Sequence, residues 1–265
     1  MSASPVGERM TALQPRLAAA EAGALAGRFF GLAGRLDPLA SERDQNFRLT
    51  AGDGRIYVLK IANAAEPAEV TNFQTEALAH VARTAPGLPV PRVIAGQGGV
   101  REFRLPSGSV VRLLTWLEGT PLHAAPRSAA LRRSVGATAA GLTRALEGFA
   151  HPAQDHELIW DIRNAGKLRP LLPSVGEAEL RAGCEAALDR FDAETGPALA
   201  RLPRQVVHAD FNPHNLLTDP EARRITGILD FGDMVRTARV CDLAVAASYH
   251  ADPADPLATL ADVIG

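Results

Sequence analysis

Cysteine is nearly absent from this 265-residue chain: Cys184 and Cys241 are the two present. Two thiols cannot form a disulfide framework and fit a reducing cytosol. An excess of one charge sign is also missing, since 28 Lys and Arg face 30 Asp and Glu for a net charge of −2. No global positive field therefore argues for nucleic acid or an anionic membrane as a partner. Long apolar runs are wanting too. The greasiest stretch, residues 17–34, is interrupted by Glu21 and Arg28, whereas a membrane span needs about 18 or more nearly uncharged apolar residues. No basic n-region or clean cleavage site precedes it, so the expectation is a cytoplasmic protein with no membrane partner. No repeat at a spacing of about 20–50 residues is visible, and there is no low-complexity tract.

Several chemical motifs are missing as well. No GxxxxGK[ST] occurs, which excludes a P-loop enzyme. No His/Cys group has zinc spacing. Ser41, Ser107 and Ser109 sit in no nucleophile elbow. Gly96, Gly98 and Gly99 imitate a dinucleotide loop but precede a strand, and read as a turn.

What is there is a chain able to bury a core, with 46% hydrophobic and 22% charged residues. Its length suits one large unit or two small lobes. Residues 1–8 read as a loose start and Thr11 to Phe30 as an Ala-rich helix lying on the domain. Asn46 to Ile61 form two apolar runs around Asp53-Gly54, a strong hairpin signal. Residues 67–84 place Val70, Phe73, Ala77, Leu78 and Val81 at helical spacing behind a Pro start. Two further β segments, Arg101 to Leu105 and Val110 to Trp116, flank a Ser107-Gly108 turn. Helical texture then covers residues 127–148, 155–171 and 177–200, and returns near Asp242. Trp116 to Pro121 reads as the connector. The expected domains are a helical extension (1–34), an N-lobe (35–116) and a C-lobe (117–265). The expected fold is α+β: an antiparallel five-stranded sheet with one main helix, then a mainly helical lobe.

The chemistry concentrates in residues 205–233. Strands Gln205 to Val207, Leu216 to Thr218 and Ile225 to Leu229 hold carboxylates and an Asn at their ends and on a polar loop, turning at Asp219-Pro220. Hard oxygen ligands so placed suit Mg²⁺, which takes a few protein oxygens plus phosphate oxygens rather than a full protein cage.

These residues carry a resemblance. His208-x-Asp210-x-x-x-x-Asn215 matches the HxDxxxxN catalytic loop of the aminoglycoside phosphotransferase and choline kinase-like superfamily. Asp230-Phe231-Gly232 resembles the metal-binding DFG element of kinases. Upstream, Lys60 ends the strand Ile56-Tyr-Val-Leu-Lys60, with Ile56 and Val58 on its face. Glu42-Arg43-Asp44-Gln45-Asn46-Phe47, Leu114-Thr-Trp-Leu-Glu-Gly119 and Trp160-Asp161 look like the hydroxylysine kinase-like branch, which also occurs fused to class III aminotransferases. The resemblance spans roughly residues 35–250 and implies a two-lobed protein-kinase-like fold. It departs at two points: Ser41 to Asn46 stands where protein kinases carry GxGxxG, and the chain stops at Gly265 inside an apparent helix. Relatives usually continue, so a truncated C-lobe or a fused C-terminal region is expected.

The resemblance assigns roles. Asp210 is the expected catalytic base, and Asn215 and Asp230 the expected Mg²⁺ ligands. Lys60, paired with the helix acid Glu76, would reach the phosphates. Val58 would cover the base, with Ser41, Asn46 and Glu118 as further nucleotide contacts. Trp160 and Asp161 are candidates for the acceptor's amine, since an aromatic wall and a carboxylate suit an ammonium group, and Asp233 is a candidate to face either the metal or the substrate. His208 and Asp242 would support the loop, Asp242 also as a helix N-cap; His214 stays open. The expected reaction is Mg²⁺-dependent transfer of the γ-phosphate of ATP or GTP to the hydroxyl of an amino alcohol or hydroxy-amino acid. Alternatives are a kinase-like module that binds without turnover, and a kinase for aminoglycosides, homoserine or choline.

Overall fold

The computed structural model describes residues 12–265. The expected loose start, and Thr11 with it, lie outside that range. Helix α1 spans Ala19–Phe30, eight residues later than Thr11, because Pro15 precedes it and Glu21 caps the free Ala18 N–H at 2.7 Å.

Six strands follow, all antiparallel: β1 (Gly34–Leu39), β2 (Gln45–Ala51), β3 (Ile56–Ile61), β4 (Val93–Ile94), β5 (Phe103–Arg104) and β6 (Val110–Thr115). They run in the order β1-β2-β3-β6-β4, with β5 also on β6. The sheet is thus six-stranded, not five. The extra strand, β4, is two residues long just beyond Pro91, too short to show an alternating pattern. The β2–β3 turn is where Asp53-Gly54 placed it, and Gly54 takes φ +84°, open to Gly at little cost. Helix α2 (Ala68–Thr84) crosses between β3 and β4.

Strand period decides which residues meet which layer. Phe47, Leu49, Tyr57, Leu59, Ile61, Val111 and Leu113 pack with Ala22 and Ala26 of α1. The alternate residues Asn46, Val58, Lys60, Arg112 and Leu114 face the other way, toward the second half of the chain.

That half holds a second core in which Phe73, Leu78 and Val81 of α2 meet Leu142, Phe211, Leu216, Ile228 and Met234. Its elements are β7 (Thr120–Pro121), α3 (Ala129–Ala145), α4 (Ala178–Arg190), the single turn α5 (Gly196–Leu199), β8 (Arg204–Val207), β9 (Leu216–Thr218), β10 (Ile225–Ile228), β11 (Val235–Ala238), α6 (Val240–Ser248) and α7 (Pro256–Ile264). Ser128 caps α3 by accepting the Leu131 N–H at 3.1 Å. The helix expected over residues 155–171 is instead a run of 3₁₀ turns over Ile162–Ser174, consistent with Pro170 and Pro173 inside it. The helix expected over 177–200 is broken by a π turn at Phe191–Thr195. β8 does not join its sequence neighbours: it pairs with β11, while β9 lies between β10 and β7.

Candidate active site

The cleft face of the sheet carries a polar row. Asn46, Lys60 and Arg112 are direct cross-strand partners on β2, β3 and β6. Lys60 is 9% exposed. Its ammonium lies 3.5 Å from Asp230 Oδ1 and 3.6 Å from Asp44 Oδ2. Asp44 is itself tied down, accepting the Asn63 N–H at 3.1 Å. Arg112, 2% exposed, donates to Gln74 Oε1 at 2.9 Å and to the Thr71 carbonyl at 3.4 Å.

Below it, the loop after β8 presents Asp210. Asn212 donates to Asp210 Oδ1 and Asn215 to Oδ2, each at 2.6 Å. Two groups hold this loop from behind. His208 accepts the Asp210 N–H on Nδ1 at 3.3 Å, leaving the Nε2–H to donate to the Leu229 carbonyl at 2.8 Å. Buried Asp242 accepts the N–H groups of His208 (3.2 Å) and Ala209 (2.7 Å). Ala209 takes φ +65°, a left-handed conformation that costs a residue with a Cβ about 1–2 kcal/mol. Asp242 is not the N-cap of α6; it sits in the helix's first turn, and its carboxylate serves the loop instead.

Asp230 closes the arrangement at the end of β10, with φ +47° and Oδ1 accepting the Gly232 N–H at 3.2 Å. The ammonium of Lys60, aided by Arg43 and the Gly232 N–H, holds its carboxyl down at about 2. The residues fit a magnesium ion. Asn215 donates its amide N–H to Asp210, which leaves its carbonyl oxygen as an acceptor-only ligand. Asp230 is ionised beside it. Among the described residues no group of three His, Cys, Asp or Glu could hold a metal alone, so a cation here would need phosphate oxygens.

Two connected cavities share these residues. One, of about 530 Å³, has an apolar wall of Val58, Leu78, Leu114, Leu217 and Phe231 beside the backbone of Trp116, Leu117 and Gly119, and reaches Lys60 and Asp230. The other, of about 750 Å³, contains Asp210, Asn215, Asp230 and Asp233 with Ser41, Arg43 and Trp160.

The structure brings together Val58, Lys60, Asn46, Ser41, Asp210, Asn215, Asp230, Asp233 and Trp160. Three expected site residues lie elsewhere. Glu76 pairs with Arg101 at 2.7 Å, not with Lys60; Gln74 is the α2 residue turned to the cleft, and two positions along a helix is the opposite side. Asp161 is 3% exposed and consumed by Arg163 at 2.6 Å and the Thr237 hydroxyl at 2.9 Å, so it offers nothing to a ligand. The Glu118 side chain is exposed, and its carbonyl accepts from Thr226 at 3.2 Å. Arg43, Asp44, Gln74 and Arg112 were missed. The first two lie inside the Glu42 to Phe47 motif, so the signal was present there; for Gln74 and Arg112 a polar residue in an apolar face was the available clue. His214 stacks on His123, with centroids 4.3 Å apart, at the edge of both cavities.

A model of the phosphotransferase enzyme family matches residues 35–264. The chain is 29% identical to hydroxylysine kinase of Mus musculus over 277 aligned positions, covering 94% of this chain and 73% of that one. It is 29% identical to a homoserine kinase of Methylobacillus flagellatus over 203, covering 76% and 58%. Among solved structures, an amicoumacin kinase bound to a nucleotide analogue superposes with a TM-score of 0.69 at 15% identity, covering 91% of this chain and 74% of the other. Among the described residues no helix is long and apolar enough to cross a membrane.

Proposed function

The chain belongs to the phosphotransferase enzyme family, in its hydroxylysine kinase-like branch, and from that premise we propose that it moves the γ-phosphate of ATP or GTP to the hydroxyl of a hydroxy-amino acid or amino alcohol. That it is a small-molecule kinase follows from the family; the acceptor class is the inference. The observation that carries it is that Asp210 and Lys60 line two adjoining cavities that share Asn215 and Asp230, with the Asp233 carboxylate and Trp160 beside Asp210. Both relatives named above are kinases of hydroxyl-bearing amino acids, which supports the same class.

In this reading Asp210, held in one rotamer by two amide donors, accepts the proton of the attacking hydroxyl. Its rate contribution is mostly orientation, as phosphoryl transfer asks little covalent chemistry of the protein. Lys60 neutralises phosphate charge from the sheet side. Val58, Leu78 and Leu217 sandwich the base. Asn215 and Asp230 would hold Mg²⁺, which supplies charge neutralisation on the phosphate oxygens when bound.

The test is NDP release with Mg²⁺ and ATP or GTP, against hydroxylysine, homoserine, ethanolamine, choline and an aminoglycoside. Acceptor-dependent turnover with hydroxylysine or homoserine is expected, and Asp210→Asn should lower kcat by about 10³-fold or more, with nucleotide affinity little changed. Turnover confined to the aminoglycoside, or an active Asp210→Asn enzyme, overturns the reading.

A further inference from the structure

One ion pair in the larger cavity bridges the cleft. Arg43, on the connection between β1 and β2, reaches across the cleft to the far lobe. Its Nη2 lies 2.5 Å from Asp233 Oδ1, and the guanidinium sits over the Trp160 ring, 5.4 Å from the centroid. An ionised carboxylate and an indole face on either side of a cation make a cation-binding site. The protein has filled it with its own arginine.

The surroundings explain why something must fill it. Asp233 is 8% exposed, and burial together with the Asp230 and Asp210 carboxylates works against its charge, which Arg43 offsets. With Arg43 withdrawn, the site would favour another cation. The acceptor proposed above carries an ammonium group on a molecule whose hydroxyl must reach Asp210, in the same cavity. Arg43 and that ammonium cannot both occupy the space between Asp233 and Trp160.

A nucleotide changes the balance. Its phosphates enter the cavity from the Lys60 and Asp230 side, and a guanidinium meets phosphate in the same forked geometry that it offers a carboxylate, with more negative charge to pair with. Arg43 is also one residue from Asp44, which holds Lys60, so the same loop contacts the nucleotide's cationic partner. We infer that Arg43 is a specificity-determining residue that occupies the acceptor's cation site in the nucleotide-free enzyme and vacates it for the nucleotide's phosphates, so that nucleotide binds first and acceptor second. The inference rests on the reading of the acceptor as a hydroxyl-bearing amine.

The experiment is calorimetric titration of hydroxylysine into the wild-type chain and Arg43→Gln, each with and without Mg²⁺ and a non-hydrolysable ATP analogue. In the wild type the analogue should tighten hydroxylysine binding by at least about tenfold, within the usual range of coupling between sites. In Arg43→Gln, hydroxylysine should bind without the analogue, to within about threefold of the wild-type ternary value, and the coupling should vanish. Circular dichroism checks that the variant is folded. Asp233→Asn provides a second variant: with Arg43 released, nucleotide should bind more tightly while hydroxylysine weakens. Equal hydroxylysine affinity with and without the analogue in the wild type overturns the inference, as does an unchanged coupling in Arg43→Gln. Turnover of hydroxylysine, measured first, separates the two failures. If it is absent, the amine in the panel that is turned over becomes the probe; if no amine is turned over, the reading and the inference fall together.

Discussion

Asp242 touches no substrate, yet its replacement should silence the enzyme. Its two carboxylate oxygens accept the N–H groups of His208 and Ala209 at 3.2 and 2.7 Å, in a fully buried setting. Asp242→Asn keeps one acceptor and turns an N–H₂ toward the other donor, so one buried N–H goes unmet at a cost of about 1–3 kcal/mol. Asp242→Ala loses both acceptors and about twice that amount. The brace also maintains Ala209 at φ +65°. Freed from it, the backbone gains about 1 kcal/mol or more by returning to an ordinary conformation, and Asp210 swings with it. A displacement of about 1 Å at the base lowers kcat by about 10²-fold. The nucleotide contacts on β3 and the connector share no partner with Asp242, so nucleotide KM should stay within about threefold. Urea unfolding gives the stability change, and steady-state kinetics at 25 °C give the split between kcat and KM. An Asp242→Asn protein that unfolds with the wild type and retains its kcat would refute the reasoning, because the brace would then be ornamental.

Lys60→Met removes the largest cause of the low Asp230 pKa, leaving Arg43 and the Gly232 N–H as the weaker ones. As a carboxylate depressed to about 2 from 3.8, Asp230 adds stability that is fully present above the unfolded value and is lost as pH falls toward 2. The variant should therefore begin acid unfolding at higher pH, and the ¹³C carboxyl titration of Asp230 should shift upward; an unmoved midpoint would show that Lys60 is not the cause. Glu76→Gln should leave kcat within about twofold, since its half-buried pair with Arg101 is partly screened by solvent and carries about 1 kcal/mol. Gln74→Leu should do more harm, stripping an acceptor from buried Arg112 at about 1–3 kcal/mol and raising nucleotide KM. The reverse ranking would restore Glu76 as the partner of Lys60.

The Asp210 loop and the Asp230 turn were legible because their spacing is local: Asp210 and Asn215 share the loop between β8 and β9, and Asp230 follows just past β10, so chain order nearly determines spatial order. The face of β3 was legible for the same reason, as period 2 alone puts Val58 and Lys60 together. Failures came where tertiary distance overrode local pattern. Glu76 and Gln74 are equally plausible helix polar residues until the crossing of α2 over β6 shows which one meets Arg112. Trp160-Asp161 looked like one amine pocket, yet the sharp turn into the 3₁₀ run sends the indole to the cleft and the carboxylate inward to Arg163 and Thr237. Arg43 and Asp233 are 190 residues apart in sequence, and no window of residues could have paired them. What connects them is the closure of one lobe on the other. The placement of Asp210, Asn215 and Asp230 therefore follows from local chain order, whereas the Arg43 contact on which the proposed selectivity rests is one that only folding creates.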